Sequence, residues 1–316
     1  MTEDSEFAIE AHSVSKTYRP RSHAPIHALR ALTLRVHTGE ALAVLGATGA
    51  GKTTIVKLFA ELTTPTAGQI RLLGHDPRRE PHALAGRVGV VLADRPTVAV
   101  SHTVWAALLE AGRRWGLGEQ DGAERAADCL HAVNLWEWRD ESIGALPDGV
   151  RRRAALALAL LADPPILLLD EPIGDSVAAE AAALLAAIRA VRSRGKTIVL
   201  ATSRLALACD LCDRVAILDH GHLVVEQSMA ELRGLLRQER YELVVQGHLD
   251  HRWADWFEGL ALRHTEQGTT VLSGVIADQA ALHGLLLKVR NLNLPLLSVN
   301  RVEPEMNEVL RYLLGG

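Results

Sequence analysis

The residues best placed to do chemistry lie in one short segment, Gly46-Ala47-Thr48-Gly49-Ala50-Gly51-Lys52-Thr53. An apolar run typical of a buried strand, 41–45, precedes it, and 54–62 continues it with a pattern typical of a helix. Strand, glycine-rich loop and helix in this order form the Walker A pattern. The glycines allow successive N–H groups to converge on phosphate oxygens, and the positive end of the helix adds to their field. The segment therefore predicts a site for a nucleoside triphosphate.

The polar residues of this segment have distinct predicted roles. Lys52 places a point charge on the β- and γ-phosphates, and the Thr53 hydroxyl is a ligand for Mg²⁺. A second apolar run, 166–169, ends in Asp170-Glu171, where ligands bind in open α/β sheets. Asp170 is expected to hold Mg²⁺ through water, and Glu171 to polarise the attacking water.

The composition limits the class of protein. The chain has 316 residues, of which 48% are apolar, and its net charge is −4. It is long enough for two domains with a sizeable core, and the slightly acidic balance argues against nucleic acid as the main partner. The longest apolar run, 154–162, is too short for a transmembrane helix, and the acidic start lacks the apolar core of a secretory signal.

The rest of the first two thirds of the chain alternates short strands and helices. Strands are predicted at 7–11, 31–36, 69–73, 88–92, 197–201 and 215–218. From Thr103 to about Leu146 the apolar spacing becomes helical, and Trp105, Trp115, Trp136 and Trp138 all fall there. Their spacing fits a core and equally a docking surface, and the pattern leaves the two readings open.

The last part of the chain changes character after a charged junction at 237–240. Strands are predicted at 241–245, 270–275 and 296–299, and helices at 253–262 and 278–289. This alternation over a short length predicts a small α+β domain, in which no catalytic cluster is seen. Earlier in the chain, Cys209 and Cys212 have the spacing of a redox or metal pair. No second pair exists, so a short helix before a strand is the favoured interpretation.

Taken together, residues 7–236 resemble the ATP-binding subunit of an ABC transporter. The matching residues occur in the family's order: Tyr18, Gly39-Glu40, the Walker A segment, Gly74-His75-Asp76-Pro77, the Walker B segment 166–171 and 212–221. The resemblance implies a fold with a P-loop α/β ATPase core over 1–236, a helical subdomain near 95–150 and an accessory α+β domain over 237–316. It implies ATP and Mg²⁺ as cofactors. The ATP-binding residues that it implies are Tyr18 (stacked on adenine), Gly46, Ala47, Thr48, Gly49, Ala50, Gly51, Lys52, Thr53 and Thr54.

Four positions depart from the family pattern. The Q-loop position, which would contact the metal, carries Asp94, and the switch-histidine position beside Glu171 carries Arg204. The loop that follows Glu171 is contracted to 172–175. The signature segment is Leu146-Pro147-Asp148-Gly149-Val150, where Pro147 lacks both the hydroxyl and the N–H of the usual serine.

The resemblance implies an ATPase that energises transport, in the exporter type, through separate membrane subunits at the cytoplasmic face of the membrane. The departures predict slow hydrolysis and an asymmetric heterodimer with a second, non-identical ABC ATPase. The alternative is a regulatory or scaffold subunit that binds nucleotide and hydrolyses little. A tandem protein acting on ribosomes is less favoured, because one cassette is present and no basic linker is seen.

Overall fold

The computed structural model describes residues 6–20, 24–92, 102–174, 178–235, 239–250, 253, 256–257, 260–265, 268–276 and 278–302. The chain divides into two units, Met1–Met229 and Ala230–Gly316. The strands of the first unit are β1 Phe7–Tyr18, β2 Ile26–His37, β3 Ala41–Leu45, β4 Ala67–Leu72, β5 Val88–Val91, β6 Ile166–Asp170, β7 Thr197–Thr202, β8 Arg214–Asp219 and β9 His222–Ser228. The helices are α1 Lys52–Phe59, α2 Val104–Arg114, α3 Glu119–Ala132, α4 Asp148–Leu160, α5 Ala178–Arg192 and α6 Leu205–Leu211, and α7 Met229–Leu235 spans the boundary.

A six-stranded sheet with the order β5-β6-β7-β3-β8-β9 carries the Walker A segment. The strands from β5 to β8 pair in parallel, and β9 is antiparallel to β8. Strands β3, β6 and β7 are buried at every residue, as their continuous apolar sequences predict for the centre of a parallel sheet. The predicted α/β class is therefore confirmed. Because the carboxyl ends of parallel strands share one edge, the residues after β3, β6 and β7 meet there.

A second, antiparallel sheet has the order β2-β1-β4. The strand predicted at 7–11 continues to Tyr18, past Ser13, whose positive φ of 49° lies at an irregularity in the register with β2. Its buried residues form one core with β3 and α1, in which Ile55 and Phe59 are almost wholly removed from solvent. Each such side chain stabilises the fold by roughly 1.5–3 kcal/mol.

The helical character predicted from 103 to 146 is confirmed by α2, α3 and two short 3₁₀ helices, Trp136–Trp138 and Ile143–Ala145. Helix α2 begins after Thr103, whose hydroxyl oxygen accepts a hydrogen bond from the N–H of Ala106 at 3.1 Å, the usual N-cap arrangement. The tryptophans of this part are not core residues. Trp115 is 47% exposed, and Trp105, Trp136 and Trp138 are half-buried.

Two ion pairs made by Arg214 stabilise the start of β8. The Arg214 guanidinium binds the Glu40 carboxylate at 2.6 Å and also contacts Glu226, and the hydrogen bond to Glu40 raises the pKa of Arg214. The residue that precedes β3 is thereby joined to the start of β8. Cys209 lies in the short helix α6 and Cys212 directly after it, two residues before β8, so the favoured interpretation, a short helix before a strand, is confirmed.

The described elements of the second unit are β10 Glu239–Gln246, β11 Ala261–His264, β12 Thr269–Ile276, α8 Gln279–Asn291 and β13 Leu296–Val302. Its four strands form an antiparallel sheet with the order β11-β12-β10-β13. Its core joins Leu243 and Leu272 of the sheet to Leu285 and Val289 of the helix. The helix predicted at 253–262 is wrong at its end, because Ala261 and Leu262 belong to a strand.

Candidate nucleotide-binding site

The Walker A loop, from Gly46 to Gly51, runs from the end of β3 into α1. Two of its glycines are required by close backbone contacts. A Cβ atom on Gly46 would lie 2.6 Å from the Leu218 carbonyl oxygen, and one on Gly51, where φ is +109°, would lie 2.5 Å from the Ala28 carbonyl oxygen. The loop is therefore a narrow backbone cradle at a helix N-terminus, the form that binds phosphate groups.

Lys52 bends back over this loop. Its side chain is only about 7% exposed, and its ammonium group donates hydrogen bonds to the carbonyl oxygens of Gly46 at 2.9 Å and Ala47 at 3.1 Å. The same nitrogen lies 3.6 Å from Oε1 of Glu171. The buried ammonium is thus held by backbone acceptors and by one carboxylate, directly over the loop that would receive the phosphates.

Thr53 and Asp170 meet beside Lys52. The Thr53 hydroxyl donates a hydrogen bond at 3.1 Å to Oδ1 of Asp170, which is the last residue of β6. Burial raises the pKa of the Asp170 carboxyl, and the hydrogen bond from Thr53 acts in the opposite direction. Within the described residues there is no group of three or more His, Cys, Asp or Glu side chains that could hold a metal ion. A hydroxyl and a carboxylate fit Mg²⁺, which takes few protein ligands and completes its shell with water and phosphate.

Glu171 occupies a constrained position after β6. Its φ is +41°, and its N–H donates to the Ala201 carbonyl oxygen at 2.9 Å. Its carboxylate accepts a hydrogen bond from the Thr202 hydroxyl at 3.0 Å. Thr202 is fully buried at the end of β7, and the sequence reasoning missed it. Its position at the carboxyl end of a strand next to the Walker B strand is the signal that identifies it.

Arg204 lies two residues after Thr202, and its side chain contacts the turn after Glu171. Its guanidinium donates a hydrogen bond to the Gly174 carbonyl oxygen at 2.5 Å, and its N–H donates to the Thr202 hydroxyl oxygen at 3.1 Å. The structure therefore joins the switch-histidine position to the backbone that follows the Walker B segment.

Tyr18 lies at the end of β1, paired with Ile26 of β2. The Lys16 ammonium sits 5.0 Å from the centroid of its ring. The carbonyl oxygen of Ala28, two residues further along β2, is the one that approaches Gly51. The ring therefore stands on the part of the antiparallel sheet that borders the Walker A loop.

The signature segment forms the start of α4. Leu146 and Val150 are buried, and Pro147 is the residue that precedes the helix. The Asp148 carboxylate accepts a hydrogen bond from Arg152 at 2.9 Å, and the Gly149 N–H donates to Oε2 of Glu180 at 3.1 Å. Arg152 and Glu180 were not identified from the sequence. Glu180 is joined to the segment only by the fold, whereas Arg152 lies four residues after Asp148 on the same helix, a spacing that could have revealed the pair.

The structure thus brings together four of the predicted residues, Lys52, Thr53, Asp170 and Glu171, at one edge of the sheet. Tyr18 lies on β1 beside Lys16, and the signature segment contacts Arg152 and Glu180, so within the described residues neither forms a hydrogen bond with these four. Asp94 and Asp175 lie outside the described residues. The fold and the site together define a P-loop nucleotide-binding protein.

Comparison with known proteins gives the family. Residues 29–174 match the profile described as "ABC transporter", and residues 240–300 match a domain of unknown function (DUF8691). The daunorubicin/doxorubicin resistance ATP-binding protein DrrA of Streptomyces peucetius is 28% identical over 98% of this chain and 92% of its own. The Nod factor export ATP-binding protein I of Rhizobium sp. (strain N33) is 32% identical over 71% of this chain and 72% of its own.

Among solved structures, the ATP-binding cassette MJ0796 bound to ADP and Pi matches with a TM-score of 0.63 and 23% identity, over 70% of this chain and 98% of that one. This likeness shows the cassette fold. The chain belongs to the family of ABC transporter ATP-binding subunits. Proteins of this family bind ATP, usually with Mg²⁺, hydrolyse it, and work with membrane subunits of a transporter. In the part of the chain that the structure describes, no helix has the length and apolar content to cross a membrane.

Proposed function

We propose that this chain couples ATP binding and hydrolysis to export through separate membrane subunits. The observation that carries the proposal is the convergence of Lys52, Thr53, Asp170 and Glu171 on one cradle. The names of the two relatives, one a drug-resistance protein and one an export protein, support export.

Each residue of the cradle has a role in this proposal. The N–H groups of residues 46–54 bind the phosphates, Tyr18 stacks on the adenine, and Lys52 balances the charge of the β- and γ-phosphates. When Mg²⁺ is bound, it neutralises phosphate charge during transfer. Thr53 and Asp170 would hold it, Asp170 through water, with the Q-loop residue Asp94 as a further ligand. Glu171 orients and polarises the attacking water.

Hydrolysis at this site is proposed to be slow. A neutral histidine at the switch position both accepts and donates hydrogen bonds between water, phosphate and the catalytic carboxylate. Arg204 only donates and stays charged, so it cannot relay a proton. Together with the altered signature, this supports a heterodimer in which a second, non-identical ABC ATPase supplies an intact signature to the cradle of this chain.

The membrane subunits are proposed to dock on the helical subdomain, near residues 95–150. An apolar groove of about 520 Å³ lies between β5 and α2, lined by Val88, Val90, Ala107, Ala111 and Trp115 among others. The ion pair of Glu110 with Arg114 also lines it. A cytoplasmic loop of a membrane subunit that presents an apolar side chain and a charge would fit this groove. In this proposal the chain is a peripheral protein on the cytoplasmic face of the membrane.

The proposed domain division is an ATPase domain over 1–236 and an accessory α+β domain over 237–316. The match of residues 240–300 to a separate domain profile supports the division. The runner-up function is a regulatory or scaffold subunit, which the internal contacts of Asp148 and Gly149 favour, because they occupy the groups that would face a partner's nucleotide.

Steady-state ATPase rates distinguish the transport ATPase from the regulatory or scaffold subunit. They are measured for the purified chain and for the complex co-purified with its membrane subunits. We expect slow hydrolysis by the chain alone and faster hydrolysis by the complex, with the increase reduced by Glu171→Gln. A complex whose ATPase rate is insensitive to Glu171→Gln, although it still binds ATP through this chain, would support the regulatory function instead.

A further inference from the structure

The turn formed by residues 171–174, which carries the catalytic carboxylate, has an unusual backbone. Glu171 has a φ of +41° and Gly174 a φ of +52°. A residue with a side chain adopts this region only when its surroundings hold it there. The contacts that hold the turn therefore decide where the Glu171 carboxylate points.

Arg152 holds the turn from the side of the signature helix α4. Its Nη1 donates to the carbonyl oxygens of Glu171 at 3.3 Å and Pro172 at 3.5 Å, while its Nε donates to Asp148 at 2.9 Å. The guanidinium also packs on Gly174, where an added Cβ would collide with it. The side chain is only 19% exposed, so these contacts are largely shielded from water.

Arg204 holds the same turn from the opposite segment. Its guanidinium donates to the Gly174 carbonyl oxygen at 2.5 Å. Its N–H donates to the Thr202 hydroxyl oxygen at 3.1 Å, and that hydroxyl donates to the Glu171 carboxylate at 3.0 Å. One segment therefore contacts both the end of the turn and the carboxylate at its start.

We propose that Arg152 and Arg204 are positioning residues that clamp the turn at 171–174 and so keep the Glu171 carboxylate beside Lys52. The proposal rests on the proposed function in one respect, the assignment of Glu171 to hydrolysis. It gives Arg204 a role in the nucleotide-free chain, as a backbone latch and not as a ligand of the phosphates. Arg152 reaches Asp148 through Nε and the two carbonyl groups through Nη1, and the single ammonium nitrogen of a lysine cannot occupy both positions at once.

Hydrogen–deuterium exchange of the nucleotide-free chain tests the clamp directly. We expect Arg204→Gln and Arg152→Gln each to speed exchange at the Glu171 amide, which donates to the Ala201 carbonyl oxygen at 2.9 Å, by about tenfold, since the turn opens more often. Arg152→Lys should behave like Arg152→Gln, and because it keeps the charge it shows that the loss is not one of net charge. Arg189→Gln is the matched control, because Arg189 pairs with Asp210 on another surface.

Titration with ATP supplies the second measurement. The proposal expects Arg204→Gln to change the ATP dissociation constant by less than about twofold. Unchanged exchange at the Glu171 amide in both glutamine variants would overturn the clamp. So would a loss of ATP affinity in Arg204→Gln without faster exchange, because Arg204 would then be a nucleotide ligand. Neither measurement requires hydrolysis, so failure of the proposed ATPase function is seen separately, in the turnover assay.

Discussion

At the scale of single residues, Lys52 shows how the site is prepared for an anion. Its ammonium group is buried before any nucleotide binds, and it donates hydrogen bonds to the carbonyl oxygens of Gly46 and Ala47. When a triphosphate enters, the ammonium exchanges these weak neutral acceptors for charged oxygens, which form stronger hydrogen bonds. Little further desolvation of the lysine is needed at that step.

We therefore expect Lys52→Ala to abolish measurable ATP binding, a loss of more than about 100-fold, because several phosphate contacts share this one charge. Titration with a fluorescent ATP analogue measures it. Lys196→Ala is the control, since Lys196 pairs with Asp163 at 2.8 Å, away from the loop. Unchanged affinity in Lys52→Ala would contradict the Walker A assignment.

Tyr18 is expected to contribute to adenine binding through its ring face. Tyr18→Ala should weaken ATP binding by about 1–3 kcal/mol, the range for an aromatic ring stacked on a base, whereas Tyr18→Trp should keep it. The same titration, repeated with GTP, checks both variants. An equal loss in the two variants would assign Tyr18 to packing with Lys16 and β2 instead.

At the scale of elements, the Walker A loop depends on a contact that is distant in sequence. Gly51 approaches Ala28 of β2, whereas Gly49, with a φ of +85°, has no atom within 4 Å of an added Cβ. The two glycines therefore form a matched pair, one constrained by its backbone angle alone and the other by the angle and a neighbour.

We expect Gly49→Ala to lower the free energy of unfolding by about 1–2 kcal/mol, the cost of the left-handed region. Gly51→Ala should cost about 1–3 kcal/mol more, because the methyl group must displace β2 or the loop. Urea unfolding of the nucleotide-free chain measures the difference. Equal losses of unfolding free energy in the two variants would show that β2 moves aside without a free-energy cost.

Elements with a continuous apolar sequence were predictable, and those with mixed sequences were less so. Strand β3 was predicted at its observed bounds, because the run 41–45 has no polar residue to suggest another structure. The helix at 253–262 was wrong at its end, since Leu260 and Leu262 fit a period of two as well as a helical spacing. Strand β1 was underestimated, because its second half carries polar residues that pair on an antiparallel sheet.

The residues of the candidate site likewise fall into those that the sequence predicts and those that it does not. The Walker A and Walker B residues are recognisable because the phosphate chemistry fixes their spacing along the chain. Thr202 and Glu180 were missed because their partners are brought to them by the fold alone, as Glu171 is to Arg152. Side-chain contacts between separate elements have no local pattern from which they can be predicted.

For the whole molecule, the altered signature segment has a consequence for assembly. In this family each nucleotide lies between the Walker A segment of one subunit and the signature of the other. Here Asp148 would put a carboxylate near that anion, which at about 4 Å and an effective dielectric constant near 20 costs on the order of 4 kcal/mol. Arg152, 2.9 Å from Asp148, is a counter-ion that offsets part of this cost. A homodimer would carry the defect at both sites.

We therefore expect a heterodimer in which the site that uses Pro147 and Asp148 turns over slowly. Replacing Pro147-Asp148 by Ser-Gly should raise turnover at the partner's Walker A site, because it restores a hydroxyl and removes the negative charge. Single-turnover assays with the Walker A lysine of one subunit removed at a time assign the rate to each site. A robustly active complex with two copies of this chain and no second ATPase would refute the heterodimer.

The contact between Gly149 and Glu180 restricts how this chain can vary. A Cβ atom at residue 149 would collide with the Glu180 carboxylate, which reaches the backbone N–H of Gly149, and would also lie 2.5 Å from the Cβ atom of Glu180. The two positions should therefore be epistatic. In a combinatorial library selected for folding, alanine at 149 should survive mainly beside glycine at 180, the one residue without a Cβ atom, whereas changes at 180 alone should be tolerated. Free combination of the two would show that the helix start has no such constraint.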